Sequence, residues 1–189
     1  NYYIGNSDWA HQNWYASRNH TDPAGKWRFH SWDAEHVMED VNYNATSKND
    51  TRSPTSIQRR LITHPEYKLK FADRAQALFY HDGALTPQMA AKLYNARADE
   101  INLVMRAESA RWGDNAIDLG RKIRYTRPHW VTNLNTLNSN FFPRRTDIVV
   151  NQLVGQKWFE KGVAPQFQIN GAPQHGGFVN AGELGVMPL

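Results

Sequence analysis

The stretch TPQMAAKLYNARADEINLVMRAESARWG, residues 86–113, decides the fold class. Thr86-Pro87 opens it as a helix start. The threonine offers a side-chain acceptor at the N-cap, and the proline takes the first helical position, where its missing N–H costs nothing. Behind it Tyr94, Ala98, Ile101 and Met105 step at helical spacing along one face, and Gly113 is placed to end the run, so one long helix is expected. Upstream, Leu69, Ala72, Ala75 or Gln76, and Phe79 keep the same period after His64-Pro65, while Ser56 or Thr55 is placed to cap a shorter helix carrying Ile57, Leu61 and Ile62. Downstream, residues 128–137 and 145–153 read as two more helices, the second with Ile148, Val149, Gln152 and Leu153 on adjoining turns. The body is a helical bundle.

Toward the N-terminus the pattern changes. Residues 13–17 and 26–32 are short aromatic-rich runs around Thr21-Asp22-Pro23-Ala24-Gly25, where proline presets a turn and glycine permits positive φ, so a β-hairpin is expected. Residues 40–54, with Asn42, Asn44, Ser47, Asn49, Asp50 and Ser53, read as an exposed polar loop. Beyond residue 165, Gly171, Pro173, Gly176, Gly177, Gly182, Gly185 and Pro188 cut Phe167-Gln168-Ile169, Phe178-Val179 and Leu184-Gly185-Val186-Met187 into strand-length pieces. The expected architecture is mainly α with a β-hairpin near the N-terminus. Residues 1–165 form one unit, and residues 166–189 a short β-rich tail that is a linker or the start of a following β domain.

Composition narrows the functional classes. With 189 residues, 40% hydrophobic and 12% aromatic, the chain is apolar enough to build a core. A net charge of +4 is too small and too dispersed to argue for nucleic acid. A mean hydropathy of -0.72, without an apolar run near ~20 residues, excludes a membrane-spanning helix from the sequence given. No cysteine is present, which removes disulfides, thiolate metal centres and cysteine nucleophiles. The chain opens at Asn1-Tyr2-Tyr3-Ile4 with no methionine and no signal pattern, and reads as a piece of a longer protein.

Candidate chemistry concentrates at the hairpin. Asn6, Asp8, His11 and Asn13 precede its first strand, while Asp33 and Glu35 follow its second, so the turnback brings both groups to one end of a two-stranded ribbon. Asp8 and Asn13 have the D-x-x-x-x-N spacing of a protein-kinase catalytic loop, and Asp33 stands beyond a hairpin, where a kinase places its second metal-binding aspartate. Aspartate and asparagine are equally the residues of turns and caps. His30, Asp33 and His36 also have ligand-like spacing for a transition metal. Trp14, Trp27, Phe29 and Trp32 are expected to pack in the core and across the strands. Arg111 is expected to form an ion pair, with Trp112 packed where the long helix ends. Arg59-Arg60 and Arg144-Arg145 read as solvated faces or partners of internal anions. Asn19, Asn44 and Asn49 each begin an N-x-[ST] triplet, the acceptor pattern for glycans.

Asn6-Ser7-Asp8-Trp9 with His11 and Asn13-Trp14-Tyr15, followed by Gly25-Lys26-Trp27-Arg28-Phe29 and Trp32-Asp33-Ala34-Glu35, resembles the CotH family, spore-coat proteins with an atypical protein-kinase-like fold. Later blocks extend the resemblance over about residues 1–165: Phe71-Ala72-Asp73-Arg74, Gly83-Ala84-Leu85-Thr86-Pro87, Glu108-Ser109-Ala110-Arg111-Trp112-Gly113-Asp114 and Phe142-Pro143-Arg144-Arg145. The resemblance implies a protein-kinase-like C-lobe, ATP and Mg2+ as cofactors, a protein substrate or a surface or coat protein as partner, and an extracellular or cell-surface bacterial setting. It implies Asp8 as the catalytic aspartate, with Asn13 and Asp33 as nucleotide-associated metal ligands. Glu35 stands where the family often has a second aspartate, and its longer carboxylate is still a cation ligand.

The glycine-rich loop and strand lysine of a kinase N-lobe do not occur in these residues, so phosphoryl transfer to protein hydroxyls is expected of an intact parent and not of residues 1–189 alone. A non-catalytic surface or spore-coat binding module is the alternative from another class, and a metal-dependent hydrolase is a third.

Overall fold

The computed structural model describes residues 1–120, 122–162, 167–169 and 172–174. Helix α7 (Phe142–Gly155) is its centre: Phe142, Val149, Val150 and Leu153 recur at helical spacing and are all nearly fully buried. Each such side chain contributes on the order of 2 kcal/mol by leaving water. The other helices are α1 (Pro54–Leu61), α2 (Pro65–Phe79), α3 (Pro87–Ile101), α4 (Val104–Trp112), the single turn α5 (Asn115–Asp118) and α6 (Arg127–Thr136). Helix α3 packs along α7, with Tyr94 against Phe142 at 5.4 Å between ring centres. The core closes with Tyr3, Phe79, Phe141, Trp158 and Phe159. The N-terminal segment is thus built into the bundle.

Helices α6 and α7 are joined by a π-helical turn, Leu137–Phe141. Pro143 has no N–H to offer the carbonyl one turn back, and the wider turn sits just before it. Asn138 pins this turn, donating to Leu134 O and exchanging amide hydrogen bonds with Asn95 of α3, all at 2.9 Å.

Thr86 caps α3 as expected, its side chain accepting from Met89 N–H. The long helix does not form. It breaks after Ile101, where Asn102 Oδ1 accepts from Arg127 Nε at 3.0 Å, and α4 turns to pack on α6. No proline or glycine marks the break, because a tertiary anchor makes it. Ala98 is buried, whereas Ile101 is about half exposed. The first helix starts earlier than expected: Ser53 is the N-cap, accepting from Thr55 N–H, and Pro54 is the first helical residue. In α2, Ala75 and Phe79 are buried, but Leu69 is 53% exposed because it faces a cleft of about 440 Å³ beside Trp158 and Phe159.

Residues 40–54 are only in part the exposed polar loop expected: Asn42, Asn44, Ser47 and Asn49 are exposed, while other residues of the segment turn inward. Val41, Ala45, Thr46 and Ser53 are buried. Asn44 Oδ1 accepts from Thr46 N–H at 3.0 Å to cap the 3-10 turn Ala45–Ser47. The polar side chains satisfy backbone groups and let the backbone go inside.

Strands β1 (Trp14–Ser17) and β2 (Arg28–Ser31) form the expected antiparallel hairpin, with Trp14 opposite Ser31 and Ser17 opposite Arg28. A second hairpin pairs β3 (Phe167–Ile169) with β4 (Ala172–Gln174). The strand pieces expected at Phe178-Val179 and at residues 184–187 lie outside the described residues. Among the described residues, no helix is long and apolar enough to cross a membrane.

Candidate functional site

Asn6 is fully buried and orients the start of the site. Its Oδ1 accepts from the backbone N–H groups of Asp8 at 2.9 Å and Trp9 at 3.1 Å, and its Nδ2 donates to Asn1 Oδ1 at 3.2 Å. This side-chain turn fixes the exit direction of the backbone at Asp8. The Asp8 carbonyl then accepts from the N–H groups of His11 and Gln12, both at 3.1 Å, and the chain reverses. Asn13 is thereby carried back to Asp8, where Nδ2 donates to Asp8 Oδ2 at 3.4 Å and to the Asp33 carbonyl at 3.2 Å. Both Asn13 contacts use Nδ2, which leaves Oδ1, the atom that would ligate a cation, without a protein partner among the described residues.

The hairpin holds this arrangement. Trp32 N–H donates to Asn13 O at 3.1 Å, one bond beyond the β1–β2 ladder. Asn13 and Asp33 both take left-handed backbone, φ 57° and 48°, which these residue types tolerate best among those with a Cβ. The structure therefore brings Asp8, Asn13 and Asp33 to the base of the hairpin, with the backbone carbonyl of Asp33 as the atom in contact.

Asp8 is half-buried and accepts long contacts from Ser7 Oγ at 3.4 Å and Gln12 Nε2 at 3.5 Å. Glu35 and His36 face it from the segment after β2: one ligand atom from each of Asp8, Glu35 and His36 lies within 4.8 Å of the others. His36 Nδ1 bonds Glu39 Oε1 at 3.0 Å, and its Nε2 is 3.8 Å from Glu35 Oε1. The hydrogen bond to Glu39, helped by the surrounding carboxylates, raises the His36 imidazole above its ordinary value. Glu35 and Glu39 also line a groove of about 470 Å³ against α3 and α6, with Tyr94 and Trp130.

Two devices tie the site to the bundle. Ser7 N–H donates to His36 O at 3.3 Å and Met38 N–H to Ile4 O at 2.7 Å, joining the segments on either side of the hairpin. Arg145 of α7 then donates to Tyr3 O at 2.6 Å, Tyr2 O at 2.8 Å and Val41 O at 2.5 Å. It is completely buried, and its guanidinium lies over the Phe141 ring. Desolvation lowers its pKa, but a guanidinium stays charged.

Other expectations need correction. Tyr15, Trp27, Phe29 and Trp32 are between 46% and 62% exposed, so the hairpin aromatics are not core; only Trp14 and Phe29 make the expected cross-strand contact, at 6.2 Å. A two-stranded ribbon that projects from the bundle has two faces and no layer to bury either one. His30, Asp33 and His36 do not form a metal cluster among themselves. His30 stacks on Tyr15 and bonds Ser17 Oγ at 2.8 Å, since it alternates to the far face of the ribbon.

In the Arg111-Trp112-Gly113-Asp114 block it is Asp114 that pairs, with Arg124 at 3.2 Å, while Arg111 lies over a half-exposed Trp112 ring. The basic pairs split: Arg145 is buried on carbonyls, Arg59 donates to Thr46 O and Gln156 Oε1, and Arg144 and Arg60 are exposed. In the triplets starting at Asn19 and Asn44, the asparagine Oδ1 accepts from the threonine two residues on.

Sequence reasoning missed the joint placement of His36 with Asp8 and Glu35. Neighbours in an extended strand point apart, but the segment after β2 bends at His36, and Glu35 and His36 both reach Asp8. It also missed Asn6 and Arg145 as anchors, because burial of a polar side chain has no sequence period. A family model described as CotH kinase protein matches residues 1–148, most of the chain. No curated protein and no solved structure matches the chain.

Proposed function

The chain belongs to the CotH kinase protein family, and from that premise we propose that residues 1–165 form the lower, metal-bearing half of a phosphoryl-transfer site acting on protein hydroxyls. Asp8 is the catalytic aspartate, taking the proton of the acceptor hydroxyl or orienting that hydroxyl. Asn13 and Asp33 hold the cation, with Glu35 as an additional carboxylate. The supporting observation is the Asn13 amide, which spans Asp8 and Asp33 across the base of the hairpin. The oxygen donors there, the carboxylates of Asp8 and Glu35, the backbone carbonyl of Asp33 and the free Asn13 Oδ1, suit a hard cation such as Mg2+. Magnesium ATP would supply the transferred phosphoryl group and neutralise its charge. The protein's part is positioning: Asn6 fixes the backbone at Asp8, Gln12 and Asn13 steady its carboxylate, and the groove beside Glu35 offers room for an acceptor segment.

Transfer needs the triphosphate held from both sides, and these 189 residues encode only the carboxylate side. Residues 1–189 incubated alone with radiolabelled ATP and Mg2+ are therefore expected to incorporate no label, and a longer chain carrying a lysine-bearing lobe is expected to do so. Asp33→Ala is expected to abolish the Mg2+-dependent thermal shift. Label incorporated by residues 1–189 and lost in Asp8→Ala would overturn the dependence on a second lobe; an unchanged shift in Asp33→Ala would overturn its role. The exposed aromatics Tyr15, Trp27, Phe29 and Trp32 support a second reading, a non-catalytic surface module whose hairpin binds a partner.

A further inference from the structure

We infer that the cavity of about 330 Å³ between α4 and α6 is a binding site for a neutral pyranose sugar. The inference does not rest on phosphoryl transfer, although Trp130 also lines the groove beside Glu35. The seam between the two helices is not built as a core. Glu108, Ser109 and Trp112 of α4 and His129, Trp130 and Asn133 of α6 share the spacing i, i+1, i+4, which places each trio on one helix face, and all of them line the cavity. Two helices that pack on each other normally do so through apolar stripes that become buried. Here neither helix has a buried residue, and each facing surface carries one indole and two polar groups. The volume lies at the lower end of the ~300–1,000 Å³ of small-molecule sites. The backbone is fixed at this place as well: Tyr125 N–H donates to Gly113 O at 3.0 Å, and a Cβ on Gly113 would fall 2.2 Å from Tyr125 O.

The polar groups define the ligand. Thr126 N–H can only donate, so His129 Nδ1, 3.1 Å away, accepts, and the ring carries its proton on Nε2. That Nε2–H has no protein partner among the described residues. Ser109 Oγ donates to Met105 O at 2.6 Å and is left as an acceptor. Glu108 is a second acceptor and, among the described residues, pairs with no lysine or arginine, while the Asn133 amide both donates and accepts. A cation is opposed by the His129 N–H, an anion by Glu108, and an apolar ligand strands all of these groups. A flat base stacks through its faces and hydrogen-bonds only in its plane, whereas each wall here presents a ring and polar groups together. A pyranose meets both walls: its C–H faces lie on Trp112 and Trp130, and its hydroxyls, donor and acceptor at once, run around the rim.

The test titrates residues 1–189, without nucleotide or metal, with the methyl glycosides of glucose, galactose, mannose and N-acetylglucosamine, followed by calorimetry and by the indole N–H cross-peaks in NMR. One of these sugars is expected to saturate with a Kd on the order of 1 mM and to move the Trp112 and Trp130 cross-peaks while those of Trp27 and Trp32 stay. Glu108→Gln is expected to weaken binding by ~10-fold and Trp112→Ala by at least ~10-fold, whereas Trp27→Ala on the hairpin changes it by less than about 2-fold. Glu108 and Trp112 are exposed, so thermal unfolding is expected to show both variants folded. Saturation by none of the sugars overturns the site, as does binding that moves the hairpin indoles or survives both Glu108→Gln and Trp112→Ala unchanged. Tetramethylammonium or adenosine saturating the cavity where the sugars do not also overturns it, and favours a cation or a nucleobase there. Sugar binding lost in Glu108→Gln by a chain that never transfers phosphate supports the inference and counts only against the kinase reading.

Discussion

Removal of the Arg145 side chain tests whether α7 holds the candidate site in place. Arg145→Ala takes away three donors at once and leaves the carbonyls of Tyr2, Tyr3 and Val41 facing a cavity. Tyr2 O keeps the N–H of Gly5 at 3.3 Å, so the carbonyls of Tyr3 and Val41 are the two left without a partner, and at about 1–3 kcal/mol each they cost on the order of 4 kcal/mol. Releasing the guanidinium from a site that desolvates it returns a few kcal/mol. The expected loss is therefore ~1–3 kcal/mol, a sizeable part of the 5–15 kcal/mol that holds an ordinary domain together. At this chain length it corresponds to a drop of roughly 5 °C in Tm.

Urea denaturation followed by tryptophan fluorescence measures the loss as a shift in midpoint at constant m-value. Arg144→Ala is the internal control: Arg144 is exposed and, among the described residues, its head group bonds only Asn140 Oδ1, so the change is expected to stay within about 0.5 kcal/mol. Arg145→Lys is expected to fall between them, since one ammonium cannot reach three carbonyls that a planar fork spans. Equal losses for Arg144→Ala and Arg145→Ala, within about 0.5 kcal/mol, would refute the reasoning.

Other outcomes follow from single positions. Gly113→Ala places a Cβ 2.2 Å from Tyr125 O and 2.5 Å from Ser109 O, and is expected to cost ~1–3 kcal/mol, whereas Gly155→Ala meets nothing within 4 Å near the end of α7 and is expected to add about 0.5–1 kcal/mol; opposite signs in the same denaturation assay check the pair. In the metal-free protein, His36 is expected to titrate above 6.5 by NMR, because the Glu39 hydrogen bond favours the charged ring. Since the folded value is the raised one, its stabilisation is fully present below 6.5 and is lost as pH rises through the folded value; Glu39→Gln is expected to bring the titration back toward 6.5. An unmoved titration in that variant argues against Glu39 as the cause.

The helical body, the hairpin and the local grouping of polar residues around it were legible in the sequence, because each rests on short-range physics. Thr86-Pro87 announces a helix through its cap, and Thr21-Asp22-Pro23-Ala24-Gly25 announces a reversal through its turn residues. The D-x-x-x-x-N spacing places Asn13 one reversal away from Asp8, and the hairpin returns Asp33 to the same end. Tertiary structure decided the rest. Whether the hairpin aromatics are core or surface depends on whether another layer covers the ribbon, and no pattern within the ribbon contains that information. The break at Asn102 depends on Arg127, 25 residues away, and the anchoring of Val41 and Thr46 depends on arginines from two helices reaching their carbonyls. His36 joins Asp8 and Glu35 in a segment that is no longer a strand, with a bend at His36, so the alternation of side chains that a strand would impose does not hold there. Backbone periodicity is a property of neighbours along the chain. A site made of side chains from both ends of a hairpin, fastened by an arginine 142 residues from its Tyr3 acceptor, exists only once the chain has closed on itself.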